Sequence, residues 1–154
     1  MTFLERICEA LNLAGVKYVV VGGHAVALHG AVRGTIDVDI ALRWTKNNLL
    51  QTEAALQNLG LKSHLPLTAE DVYLYRDEYI RNRNLIAWNF YNPDNLAEQL
   101  DLIINYDAKG KRNIKKTIAG TAIPVLNMND LIKMKRASGR KQDIEDIKAL
   151  ESLP

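Results

Sequence analysis

The sequence runs to 154 residues, 47% of them hydrophobic and 25% charged, which is enough for one domain with a self-sufficient core and too apolar for intrinsic disorder. Its single cysteine, Cys8, excludes an intrachain disulfide, charges at Glu5, Arg6 and Glu9 break any signal-peptide core, and no apolar run nears the ~20 residues of a bilayer span. A net charge of +2 selects no class of partner, and the expected setting is a reducing cytoplasm without membrane contact.

Thr2 followed by Glu5 has the form of a capping box, and Phe3, Leu4, Ile7, Cys8 and Leu11 recur at helical spacing up to a closing Gly15. A first helix is expected there, with Cys8 in the core. Lys17 to Val21 (KYVVV) is a short β-branched run ended by Gly22 and Gly23, after which apolar residues resume: strand, tight turn, short helix. Thr35 to Leu42 (TIDVDIAL) alternates Thr35, Asp37, Asp39 and Ala41 with Ile36, Val38, Ile40 and Leu42, as the two-residue period of a strand requires.

Amphipathic helices are expected from Asn47 to Leu59, closed by Gly60, and from Thr68 to Tyr79, with Thr68 and Asp71 near the start of the second. Leu85 to Tyr91 and Leu100 to Asn105 read as strands, with a turn signal (NPDN) between them. Thr117 to Leu126 is expected to be extended, and Gly120 and Pro124 confine it to a sheet edge or a hairpin. Two terminal helices, Asn129 to Ser138 and Lys141 to Leu150, are hinged at Gly139. From Lys109 to Lys148, eleven Lys or Arg stand against four Asp or Glu. That stretch either draws phosphates towards an acidic site or is a solvated surface. No repeat or linker divides the chain, so residues 1–154 are read as one domain.

Asp37 and Asp39 would share a strand face ~7 Å apart at ~3.3 Å per residue. Such a pair suits one divalent ion or the two metals of phosphoryl transfer. Asp101, set between apolar Leu100 and Leu102, is the third carboxylate by pattern. Alone, Asp-x-Asp equally describes a solvated strand face. Gly22 and Gly23 strengthen the reading, because a turn without Cβ atoms lets backbone N–H groups approach a phosphate. On that view Gly23 tolerates no side chain; the plain alternative is an ordinary turn. His24 and His29 are read as packed or capping residues. No His/Cys cluster has zinc spacing, and no Gly-x-Ser-x-Gly elbow is present. A dinucleotide-binding unit would need Gly-x-Gly-x-x-Gly. A dehalogenase-like phosphatase would place its first aspartate directly after a long apolar strand, whereas Asp37 follows AVRGT.

The stretch YVVVGGHAVALHGAVRGTIDVDIAL, with QLDLII further on, resembles the polymerase-β-type nucleotidyltransferase superfamily, whose signature is strand, Gly-Gly, Asp-x-Asp and a later carboxylate. Arg33 and Thr35 before the aspartates resemble its minimal bacterial members, among them abortive-infection toxins, and at 154 residues the chain is close in size to the compact lincosamide enzymes. DLIKMKRASGRKQDIEDIKAL is similar to their terminal pattern, which puts Lys135, Arg140, Asp143 and Asp146 in correspondence. The resemblance implies an α/β (α+β) nucleotidyltransferase fold, with a mixed twisted sheet flanked by helices and short C-terminal helices. It implies catalytic and metal-binding roles for Asp37, Asp39 and Asp101, and nucleotide contacts from Gly22, Gly23, Arg33, Thr35 and Lys135. Lys135 is equally readable as a solvent-facing helix residue, and Arg140 with Asp143 as a pair holding helix ends. The implied activity moves a nucleoside monophosphate from an NTP to a hydroxyl, with Mg2+ or Mn2+. Acceptors of the resembling proteins include small molecules, tRNA or other RNA ends, and proteins; a second copy of the chain or an antitoxin is the further partner implied. The non-enzymatic alternative is a nucleotide- or partner-binding module on the same fold.

Overall fold

The computed structural model describes residues 1–154. Helix α1 (Phe3–Leu13) is capped by Thr2, whose Oγ1 accepts from the Glu5 N–H at 3.2 Å. It leads into β1 (Tyr18–Val21), α2 (Gly22–Leu28), β2 (Val38–Leu42) and α3 (Lys46–Asn58), the last capped by Thr45. A short β3 (Lys62–Ser63) precedes α4 (Ala69–Leu74) and α5 (Arg76–Arg83). The hairpin β4 (Ala87–Asn92) and β5 (Asn95–Ile103) follows, then the hairpin β6 (Asn113–Ile118) and β7 (Thr121–Leu126), and finally α6 (Met128–Ser138) and α7 (Lys141–Glu151).

The seven strands form one sheet in the order β3-β4-β5-β2-β1-β7-β6. Pairs β2/β5 and β1/β7 are parallel and the rest antiparallel, so the expected mixed sheet is present. One sheet face, carrying Val20, Ile40, Leu42, Trp88, Phe90, Leu100, Leu102 and Val125, is fully buried. It packs with Leu4, Ile7, Cys8 and Leu11 of α1 and Leu49 and Leu56 of α3 in a single core, and full burial of such side chains contributes ~1.5–3 kcal/mol each. Tyr18 ties this layer together, its hydroxyl donating to Asn12 Oδ1 at 2.9 Å. On the opposite face α2 packs on β1, β2 and β7, and α7 contacts both α2 and α6, which leaves Asp39 and Asp101 half-buried.

Several elements differ from their sequence expectation. The strand expected from Thr35 begins only at Val38, because β1 leaves the sheet at Gly22 and residues 35–37 have no β1 backbone to pair with. Ile36, expected on the core face, is therefore 72% exposed. The helix expected over 68–79 is two helices broken at Tyr75, whose φ of −108° and ψ of 20° leave the helical basin. Thr68 and Asp71 do form a complete capping box at its start. The stretch 117–126 is one strand and part of another, joined by Ala119 and Gly120 at φ of 48° and 83°, the paired positive angles of a tight hairpin turn. The outer edge belongs to β6, where Lys115 and Lys116 discourage further pairing. Pro124 thus lies in an interior strand, and the β1/β7 pairing beside it shrinks to the single bridge Val20–Val125, consistent with a residue that has no N–H to donate.

Candidate active site

One rung of the sheet creates the site. Val21 at the end of β1 pairs with Asp39 on β2, Asp39 with Asp101 on β5, and Asp101 with Asn89 on β4. Directly paired residues point their side chains to the same face, with neighbouring strands ~4.8 Å apart. Asp39 and Asp101 therefore stand side by side on the partly covered face. They form the floor of a cleft of about 780 Å³ that also contains Gly22, Gly23, Arg33, Thr35, Asp37, Lys135, Arg140 and Asp143. Every residue assigned to the site from the sequence lies in this cleft. Asp37 enters it from the exposed loop before β2 and not from the strand, while Thr35 Oγ1 donates to the Asp37 carbonyl at 3.4 Å.

Burial pushes the Asp39 carboxyl up from 3.8 to about 7, and the negative charges of Asp101 and then Asp37 push the same way, against Lys135 and Arg140. The group is short of positive charge. No three His, Cys, Asp or Glu side chains converge as a ready-made metal cage. Magnesium, however, commonly takes one or two carboxylates and completes its octahedron with substrate oxygens and water, and the adjacent, charge-starved oxygens of Asp39 and Asp101 fit that demand.

The opposite wall is cationic and tightly held. Arg33 Nε donates to Asp146 Oδ1 at 2.9 Å, and Lys135 Nζ donates to Asp143 Oδ1 at 3.3 Å. Lys135 Nζ also lies 2.9 Å from Asp146 Oδ2, placed as an ion pair and not aligned as a hydrogen bond. Arg140 donates to Asp143 Oδ2 through its backbone N–H at 3.1 Å and through Nε at 2.9 Å. Lys135 is buried at 5% exposure and not on a solvent-facing side of its helix. For Asp143, burial alone would raise the pKa, but the bonds from Arg140 and Ser138 outweigh it and hold the carboxyl at about 2. Asp146 is likewise held low, against the opposing effect of burial, by Lys135, Gln142 and Arg33. Three cations on two carboxylates leave one net positive charge; Lys135 is enclosed with the carboxylates, Arg33 is half-buried beside them and Arg140 is exposed. Sequence reading found the Lys135, Arg140, Asp143 and Asp146 pattern but not its convergence on Arg33, 113 residues from Asp146 in the chain.

The glycine pair also meets a demand of the chain itself. Gly22 has φ of +68°, and a Cβ there would sit 2.0 Å from Asp39 Oδ2. At Gly23 a Cβ would meet the Thr35 side chain at 2.8 Å and Arg33 Cζ at 3.3 Å. The chain's own side chains, before any phosphate, would have to shift to admit a substituent at either position. Gly22→Ala is accordingly expected to cost about 1–3 kcal/mol and to displace Asp39. Urea denaturation measures this, and an unchanged midpoint would mean that Asp39 yields freely. His24 Nε2 approaches the Ile36 carbonyl at 3.4 Å, and burial lowers its pKa, with the Ile36 carbonyl and the Asp37 charge opposing and Arg33 assisting. His29 Nε2 meets the Leu126 carbonyl at 2.8 Å. Both rings thus meet backbone carbonyls of the chain itself. Sequence reading missed Asn89, whose Nδ2 donates to Asp101 Oδ1 at 3.0 Å; only the β4/β5 register could reveal it.

A family model described as "Nucleotidyltransferase of unknown function (DUF6036)" matches residues 4–152. No curated protein sequence matches. Among solved structures, the antibiotic-resistance factor ANT(2'')-Ia is similar with a TM-score of 0.63 at 14% identity, covering 96% of this chain and 80% of that one. The lincosamide antibiotic adenylyltransferase LnuA, lincomycin-bound, gives 0.63 at 13% identity, with coverage of 95% and 92%. An antigenic nucleotidyltransferase-like protein from Paracoccidioides brasiliensis gives 0.58 at 17%, with coverage of 96% and 72%. At these identities the likeness establishes the nucleotidyltransferase fold.

Proposed function

We infer that the chain, which belongs to the family of nucleotidyltransferases of unknown function (DUF6036), moves a nucleoside monophosphate from a nucleoside triphosphate to a hydroxyl acceptor. Family and fold support nucleotidyl transfer in general; the divalent metal, the triphosphate and the hydroxyl are our reading of the cleft. A single observation carries it: two adjacent carboxylates on one rung, Asp39 and Asp101, face a preassembled cationic wall of Arg33, Lys135 and Arg140 across one cleft.

In this reading Asp39 and Asp101, with Asp37 from the loop before β2, would hold magnesium or manganese. The bound ion would neutralise the triphosphate and the charge that develops as the α-phosphate is attacked. Lys135 and Arg33 meet the phosphates as charges whose positions Asp143 and Asp146 fix, so little reorganisation accompanies reaction. The backbone of Gly22 and Gly23 borders the same phosphates. Asp101 is the acceptor of the hydroxyl proton.

Binding of ATP or GTP is expected to weaken by at least about ten-fold in excess chelator, because the triphosphate then meets Asp37, Asp39 and Asp101 as like charges. Calorimetric titration with and without magnesium checks this, and equal affinities would exclude the carboxylate metal site. Mass spectrometry of small molecules, tRNA and the protein itself after incubation with each NTP and magnesium tests transfer. One observation favours the second reading, a nucleotide-binding module that transfers nothing: Asp37 lies outside β2, so the Asp-x-Asp pair does not share a strand face. A stable complex without pyrophosphate release would select that reading.

A further inference from the structure

The sheet face that carries Asp101 continues beyond the cleft onto β4 and β5, a part that the nucleotide reading leaves unused. On β4 and β5, Asn89, Tyr91, Gln99 and Asp101 are half-buried, whereas the alternate residues Trp88, Phe90, Leu100 and Leu102 are sealed in the core. Register places Tyr91 opposite Gln99 and Asn89 opposite Asp101, so all four share the face that carries the catalytic rung. His64, beyond β3, extends the row. Its backbone N–H donates to the Asn89 carbonyl at 2.9 Å, and its ring meets the Tyr91 ring edge-on with centroids 5.3 Å apart. The result is a shelf of one aromatic ring, one imidazole and two amides that ends on Asp101. Its inner end also holds an unpaired group, the Asn89 side-chain oxygen, which is enclosed and has no hydrogen-bond partner. Such groups are few in native proteins and call for a reason.

We propose that this shelf, His64–Asn89–Tyr91–Gln99, is the acceptor subsite, and that its ligand is an uncharged polyhydroxylated ring of the sugar or cyclitol type. The proposal rests on the nucleotidyl-transfer reading above. An aromatic ring beside side-chain amides suits a saturated ring, which lays its C–H face on Tyr91 and directs hydroxyls to amide donors and acceptors. Charge separates the cleft from the shelf: Arg33, Lys135 and Arg140 line the cleft. The shelf itself offers no Lys or Arg apart from the exposed Lys62, opposite Tyr91 at its outer rim. A phosphodiester chain laid here would run without cations towards Asp101 and Asp39, so RNA is the disfavoured occupant. A hydroxyl held beside Asn89 lies next to the carboxylate that is to take its proton.

The test uses the 15N-labelled full-length chain with magnesium and a non-hydrolysable ATP analogue, titrated with methyl α-D-glucopyranoside, with scyllo-inositol and, separately, with a 12-nucleotide RNA. The expected result is saturable shifts of the His64, Asn89, Tyr91 and Gln99 amides with one of the two ring compounds. Affinity for that compound should fall about ten-fold in Tyr91→Ala and in His64→Ala, with analogue affinity unchanged. Either variant suffices if the other fails to fold. Ring compounds that shift nothing on the shelf while the analogue binds would overturn the proposal and leave nucleotidyl transfer intact. Shelf shifts produced only by RNA would also overturn it. Failure of the analogue itself to bind would remove the nucleotide reading, and this proposal with it.

Discussion

Replacing Asp101 with Asn is expected to lower pyrophosphate release by about 10³-fold, ~4 kcal/mol of transition-state stabilisation, while magnesium–ATP affinity falls by less than about ten-fold. The substitution keeps the shape of the side chain and an oxygen that can still accept from Asn89 Nδ2, but removes the negative charge and with it the base. The asymmetry between turnover and binding arises from the proposed division of work. Asp39 and Asp37 face the nucleotide side of the cleft, and Asp101 borders the acceptor side. Turnover and affinity should be measured side by side for wild type and variant, on an acceptor that the wild type labels. Unchanged turnover would take Asp101 out of the chemistry. A loss confined to ATP binding would reverse the assignment.

The second large effect concerns stability and has the opposite sign: Asp39→Asn should stabilise the metal-free protein. Burial first, then the charges of Asp101 and Asp37, raise the folded-state pKa of Asp39 from 3.8 to about 7. Below 3.8 the carboxyl is protonated in both folded and unfolded chains, and the native state bears no penalty. As pH rises from 3.8 towards 7 the unfolded chain ionises first, so stability falls progressively and stays low above 7. The full penalty is at most ~4 kcal/mol, at 1.36 kcal/mol for each pKa unit, which for a domain of this size corresponds to roughly 10 °C in Tm. In chelator, thermal melts at pH 8 should therefore place Asp39→Asn well above wild type, with the gap closing as pH approaches 4. Saturating magnesium should recover much of the difference for wild type alone, since a cation removes the cause of the penalty. A wild-type Tm that is flat across this range in chelator would show that Asp39 ionises freely.

Local signals in the chain were sufficient for most of the elements. The apolar spacing of Phe3, Leu4, Ile7, Cys8 and Leu11 specifies α1, the β-branched run before Gly22 specifies β1, and Asn92-Pro93-Asp94-Asn95 specifies the β4/β5 turn, because each depends on residues near one another in sequence. The same holds for the capping box of α4. Where the outcome depended on a partner strand, the pattern misled: TIDVDIAL alternates perfectly from Thr35, yet pairing begins at Val38 because β1 has already turned away. Continuous helical composition likewise concealed the break at Tyr75, which is a backbone angle and leaves no mark in apolar periodicity.

The site divides along the same line. Residue types and spacing singled out Gly22, Gly23, Asp37, Asp39 and Asp101, since a metal-dependent phosphoryl site needs hard oxygen donors and a close backbone turn, and those needs are written in residue identity. The tertiary structure alone decided that Asp39, Asp101 and Asn89 occupy one rung, because strand register joins residues up to 62 positions apart and is set by the whole sheet. It alone brought Arg33 to Asp146 and buried Lys135 between two carboxylates. It also supplied a second reason for the glycines, since the atoms that a Cβ would strike at Gly22 and Gly23 belong to Asp39, Thr35 and Arg33 and take their places only when the chain is folded.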